Sequence, residues 1–148
     1  MSVEVDLRTL LLTLSTVTAL VGTGDDARIR PDKLDQDDDD SQPAIIVEVD
    51  DERPQNDLTG TSLRRYADVT LRCQARTKAQ ARAVAVAVKL NGTDPGTGLA
   101  GYGGTVSSTV YSIYLEDDQT SMSPVEEGSD EAYYYVFSNY VVTWAEAA

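Results

Sequence analysis

The chain contains no histidine, and only one cysteine, one tryptophan and one phenylalanine in 148 residues. Lack of histidine removes the commonest general base, the Ser-His and Cys-His nucleophile pairs and every histidine-bearing zinc site. A single cysteine, Cys73, excludes an intramolecular disulfide and fits an intracellular origin; on the apolar side of its segment it reads as a small buried hydrophobe. Positive charge is scarce as well. Twelve Lys and Arg against twenty-five Asp and Glu leave a net charge of -13, which opposes tight binding to a phosphate backbone. Long apolar runs are missing too. The first candidate, residues 7–21, is interrupted by Arg8, Thr9, Thr13, Ser15, Thr16 and Thr18 and preceded by Glu4 and Asp6. A membrane span needs about 20 mostly apolar residues and a signal peptide a basic start, so neither is expected.

What remains for catalysis is carboxylate or lysine alone, and the acids lie mostly in stretches that read as exposed, where their pKa values are not tuned. The chain is therefore read as a non-enzyme with no catalytic residue, cofactor or metal ligand. Two apparent motifs fail on context. Gly96-Thr97-Gly98-Leu99-Ala100-Gly101 spells a dinucleotide fingerprint, but it follows a helical segment and leads into a strand, the reverse of the order that places a helix N-terminus on a pyrophosphate. With Gly103 and Gly104 it reads as a flexible glycine-rich connection, 91–104. Counting an EF-hand loop from Asp35 puts Asp40 and Ile46 where Gly and Glu are required, which leaves only loose divalent binding.

The clearest structural signal is residues 63–92. Leu63, Arg65, Ala67, Val69, Leu71, Cys73 and Ala75 alternate with Arg64, Tyr66, Asp68, Thr70, Arg72 and Gln74, the period of a half-buried strand. An Ala/Val-rich helix follows, 77–90, with Ala79, Ala83, Val86, Ala87 and Leu90 at helical spacing and Asn91-Gly92 as its stop. Leu7, Leu10, Leu11, Leu14, Val17 and Val21 form the apolar stripe of a first helix, 6–21, roughly 22 Å long and ended by Gly22 and Gly24. Between the helices lie a short strand (27–30), a polar loop and a Pro-led strand (44–50). The order helix, strands, helix, strands predicts a single α+β domain spanning 1–148. Its one sheet, mixed or mostly antiparallel, is flanked by the two helices and closed by a long C-terminal β-hairpin.

Charge and aromatic residues are unevenly distributed. Residues 25–57 hold thirteen acids and four bases, nine of the thirteen net negative charges. Asp37, Asp38, Asp39 and Asp40 lie inside an acidic loop, 32–42, and their mutual repulsion favours a solvated, extended segment. The two last strand candidates, 105–118 and 131–144, carry Tyr111, Tyr114, Tyr133, Tyr134, Tyr135, Phe137, Tyr140 and Trp144. Tyr133, Tyr135 and Phe137 oppose Tyr134, Tyr140 and Trp144, so one buried face cannot hold all of them. Fourteen strand residues extend roughly 46 Å, against a diameter of about 38 Å for a compact domain of this size, so the hairpin must bend, bulge or project. A projecting hairpin makes its tyrosines subunit contacts, and Tyr111, Tyr114, Tyr133 and Tyr135 are the candidates.

The amphipathic helix DLRTLLLTLSTVTALVG, the segment ARIRP, the strand QPAIIVEVD, the strand YADVTLRCQA, the helix TKAQARAVAVAVKLNG and the closing YVVTWAE together span roughly 6–146. In this pattern the chain resembles the tail terminator, or tail-completion, proteins of long-tailed (siphovirus-type) phages. The acidic loop and the long Tyr-rich strands depart from the shorter members. The resemblance implies a structural virion protein, assembled in the host cytoplasm into a homo-oligomeric ring, usually a hexamer. Such a ring caps the head-proximal end of the tail tube, stops tube polymerisation and meets the head-tail connector protein, with DNA only in transit. It implies an acidic loop, Asp37 to Asp40, that either faces the channel or solvates the exterior. The other readings are a head-completion or connector protein of the neck, and a small acidic module for calcium or a basic partner.

Overall fold

A computed structural model describes residues 3–31, 42–57, 60–90, 98–107, 109–122 and 134–145. In chain order the elements are α1 (Val3–Leu12), α2 (Ser15–Val21), β1 (Ile29–Pro31), β2 (Ala44–Asp57), β3 (Gly60–Ala75), α3 (Lys78–Lys89), β4 (Gly103–Val106), β5 (Thr109–Met122) and β6 (Tyr134–Ala145). They form one six-stranded mixed sheet in the order β1-β2-β3-β6-β5-β4, parallel at β1/β2 and antiparallel elsewhere. The α+β class stands, with three α-helices among the described residues in place of two. The acidic loop, including Asp37 to Asp40, lies outside the described residues, as does the 123–133 connection between the antiparallel neighbours β5 and β6.

The expected first helix is broken. Its stripe is intact, since Leu7, Leu10, Leu11, Leu14, Val17 and Val21 are all buried, but Leu14 is extended (φ -88°, ψ 108°) and separates α1 from α2. Thr13 explains the break. Its hydroxyl donates to the Leu10 carbonyl at 2.6 Å, and the backbone N-H groups of Thr13 and Leu14 reach only three residues back, tightening the last turn of α1. The break redirects α2 so that the Thr16 hydroxyl donates to the Ala87 carbonyl of α3 at 3.1 Å.

All three helices lie on one face of the sheet. Helix α3 crosses the central strands β3 and β6, while α1 touches β1 and β2 at one edge and β4 at the other. Touching both edges means that the sheet curls around α1. The alternation expected of β3 is observed: Ala67, Val69, Leu71, Cys73 and Ala75 are buried beneath the helices, and Tyr66, Asp68, Thr70 and Arg72 lie half-buried on the opposite, outer face. The same holds for β6, where Val136, Tyr140, Val142 and Trp144 face the helices and Tyr135, Phe137, Asn139 and Val141 face outward.

Three expectations for local structure change. The buried side of α3 is Ala81, Val84, Ala85, Ala87 and Val88, so of the expected stripe only Ala87 belongs to the core; Ala79, Ala83 and Val86 are exposed. The single strand expected at 105–118 is two strands: the chain reverses between the paired residues Val106 and Thr109, and Ser107 takes a φ of 48° there. Finally, the described part of the glycine-rich connection is ordered. Gly98 is buried against the end of α3, where a Cβ would meet the Lys89 carbonyl oxygen at 2.3 Å, and Leu99 donates its N-H to the Val88 carbonyl at 2.8 Å. Glycine stands at 98 because two backbones touch.

Candidate assembly surface

The tyrosines expected at an interface separate into different environments. Tyr111 is 3% exposed, so it is a core residue rather than a surface contact. The register explains this: Tyr111 pairs with Trp144 and lies one turn of alternation from Ile113, all on the helix side. Its ring is 6.2 Å from that of Trp144, and its hydroxyl donates to the buried carboxylate of Asp6 on α1. Burial, and then the Asp6 carboxylate, push the Tyr111 phenol far above its usual range. Tyr114, one step out of phase, points outward and is 54% exposed. Tyr135 is half-buried on the outer face, 5.9 Å from the Phe137 ring, with the Arg72 guanidinium 5.4 Å over it. Tyr133 lies outside the described residues.

The outer face is a polar, ion-paired surface organised in rows across the strands. One row runs Glu48, Thr70, Asn139, Asp117; the next runs Asp50, Asp68, Val141, Tyr114. Thr70 donates to the Asn139 side-chain oxygen at 2.9 Å, and the Asn139 amide donates to Asp117. Arg53 pairs with Asp68 at 3.2 Å and lies 4.7 Å over the Tyr66 ring, while Arg72 lies 3.7 Å from Glu48. These partly exposed pairs each contribute about 0–1 kcal/mol, so they order the face more than they stabilise it. Strand β5 carries a bulge between Leu115 and Asp117, after which Asp118 points to the helix side and meets Lys89.

Two arginines that carry no signal in the sequence hold the edge of the sheet. Arg8 donates through Nε to the Ile29 carbonyl at 2.9 Å and through Nη2 to the Gly24 carbonyl at 3.1 Å. Arg28 reaches the carbonyls of Pro43 at 2.8 Å and Leu20 at 3.0 Å. Nothing in their spacing marks this role, because the carbonyls come from segments that only the fold brings together.

The one thiol is unsuited to nucleophilic chemistry. Burial pushes the Cys73 thiol up to about 12, with Asp118 adding to the effect and Lys89 opposing it, so no thiolate nucleophile forms at neutral pH. Burial likewise raises the Tyr140 phenol. No cluster of three or more potential metal ligands occurs among the described residues. No helix among them is long and apolar enough to cross a membrane.

Comparison with known proteins sets this architecture beside others. A search of curated proteins finds no match. Among solved structures, the fold is similar to a chain described as "Virion of native gene transfer agent (GTA) particle", with a TM-score of 0.63 at 16% identity, covering 97% of this chain and 95% of that one. The profile of the family described as tail completion protein gp17 matches residues 5–90, from α1 through α3 and so more than half of the chain. The chain belongs to the tail completion protein gp17 family.

Proposed function

We propose that this chain is a structural virion protein that assembles into a ring, a hexamer by resemblance, on the head-proximal end of a tail tube. There it ends tube polymerisation and presents the surface that joins the head-tail connector protein. The observation that carries the reading is the family match over 5–90, supported by a fold shared end to end with a virion chain. The chemistry fits a passive role: the thiol is buried and protonated, and Asp68 and Glu48 of the outer face pair with Arg53 and Arg72. DNA passes through without sequence-specific contacts, because a net charge of -13 repels phosphates. Asp37 to Asp40, placed on the channel side, would keep that passage free of sticking.

Capping follows from two unlike ring surfaces, one complementary to the open tube end and one lacking what a further tube ring requires. The reading as a head-completion or connector protein differs in its consequence. Without a terminator, tubes overgrow and remain unjoined; without a connector, free tails have normal length. Particle assembly lacking this chain, imaged for tail length, tests the proposal, and normal free tails would overturn it.

A further inference from the structure

Four large apolar side chains stand exposed among the described residues: Val5, Val86, Val110 and Tyr114. Val86 is 51% exposed on α3, beside a shallow open groove between α2 and α3 walled by Leu20, Ala79, Ala83 and Leu90. Val110 and Tyr114 are 63% and 54% exposed on the outer face of β5. Besides Val5 on α1, uncovered apolar side chains thus stand on both layers of the fold, and Val86 faces away from Val110 and Tyr114.

The charges next to Val86 and Tyr114 are opposite. From Val69 to Thr93 the sequence holds no acid, and the solvent face of α3 presents Lys78 and Arg82 alongside Val86. Tyr114 has acids beside it: exposed Glu116 lies two residues beyond it on β5, and Asp68, paired with Arg53, lies in its own cross-strand row, whereas exposed Arg64 lies opposite Ala145, towards the Val110 end. An apolar side chain beside the cations Lys78 and Arg82 and one beside the carboxylate of Glu116 complement one another, which fixes orientation and suppresses pairing of like patches.

We propose that the α3 face of one copy, centred on Val86 and Arg82, docks on the outer face of β5 of a second copy, centred on Tyr114 and Glu116. The two patches lie on opposite layers, so a single chain cannot satisfy both internally. Each copy therefore uses its α3 on one neighbour and its β5 on the other. Such a contact is heterologous and propagates around an axis until the rotation closes it. The inference rests on the ring reading and supplies the surfaces that reading leaves unspecified.

Cross-linking tests it. Chains carrying Val86→Cys and Tyr114→Cys are co-assembled, both in concentrated solution and on tube ends, and oxidised mildly; the native Cys73 is buried and does not compete. The expected result is a covalent dimer in the mixture and in neither variant alone. Separately, Arg82→Glu and Glu116→Arg should each weaken association at least ~10-fold, and mixing the two should restore it, since every contact then again pairs unlike charges. All four positions are exposed, so urea midpoints should stay at the wild-type value and confirm intact folding. Rings that form without a link between positions 86 and 114, or in which position 86 of one copy links to position 86 of another, overturn this contact and leave the ring reading standing. A chain that stays monomeric in solution and absent from tube ends overturns both.

Discussion

Replacing Tyr111 by Phe separates a residue that builds the subunit from one that joins subunits. The hydroxyl is the donor to Asp6, a carboxylate only 5% exposed in the first turn of α1, and it ties the helix inside the curled sheet to strand β5. Removing it changes no packing volume of consequence but leaves a buried carboxylate without that donor. A hydrogen bond to a charged group contributes about 1.5–3 kcal/mol, so the expected loss is about 2 kcal/mol. For a chain of this length that lowers the Tm by roughly 4–8 °C. Urea unfolding followed by Trp144 fluorescence measures it on the isolated chain, without any assembly. Asp6→Asn keeps an acceptor for the hydroxyl and should lose less, and the double variant should lose less than the sum of the two. A Tyr111→Phe chain within about 0.5 kcal/mol of the parent but defective in assembly would refute the reasoning and return Tyr111 to the interface.

Other outcomes follow from single features of the fold. Thr77, whose hydroxyl accepts from the Gln80 N-H at 3.2 Å, caps α3, and Thr77→Ala should cost about 1 kcal/mol in denaturant unfolding. Gly98→Ala forces a Cβ into the Lys89 carbonyl and should cost about 1–3 kcal/mol, seen as a lowered urea midpoint with the expression level reduced. The Cys73 thiol has a folded pKa near 12 against 9.0 when free, so the native state holds its proton where the unfolded chain releases it. That contribution is fully present below pH 9 and is lost as pH rises towards 12, at about 1.4 kcal/mol per pH unit. Unfolding curves at about pH 8 and pH 10, either side of the free thiol's titration, should show the loss, and Cys73→Ala should reduce its slope. Calorimetry with calcium should show no affinity tighter than about 10 µM, and a tighter site would favour the metal-binding reading.

How much of this is legible in the sequence depends on the period involved. Strand β3 can be read residue by residue because a period of two leaves no freedom: once Val69 and Leu71 face the core, Cys73 must as well. The position of α3 is legible but its buried side is harder to read, because Ala83 to Val88 are all alanine and valine and only the charges of Lys78 and Arg82 mark the exposed side. The break at Leu14 is hidden for a related reason. The apolar spacing runs through it unperturbed, and only the Thr13 hydroxyl, bonding back onto its own helix, marks the stop. For the tyrosines, the reversal near Ser107 matters little to the faces, whereas the partners lie beyond any local pattern. Trp144 and Asp6, which make Tyr111 a core residue, are 33 and 105 positions away from it in the chain. The outer-face network of Thr70, Asn139 and Asp117 likewise joins three strands that the sequence leaves far apart.

The central claim is that this chain ends a tail tube. Electron microscopy of particles assembled in its absence tests that most directly. The account predicts tubes of uncontrolled, excessive length without attached heads, reverting to uniform joined tails when the purified chain is added back. A population of free tails of normal, uniform length would contradict it and place the chain on the head side of the neck.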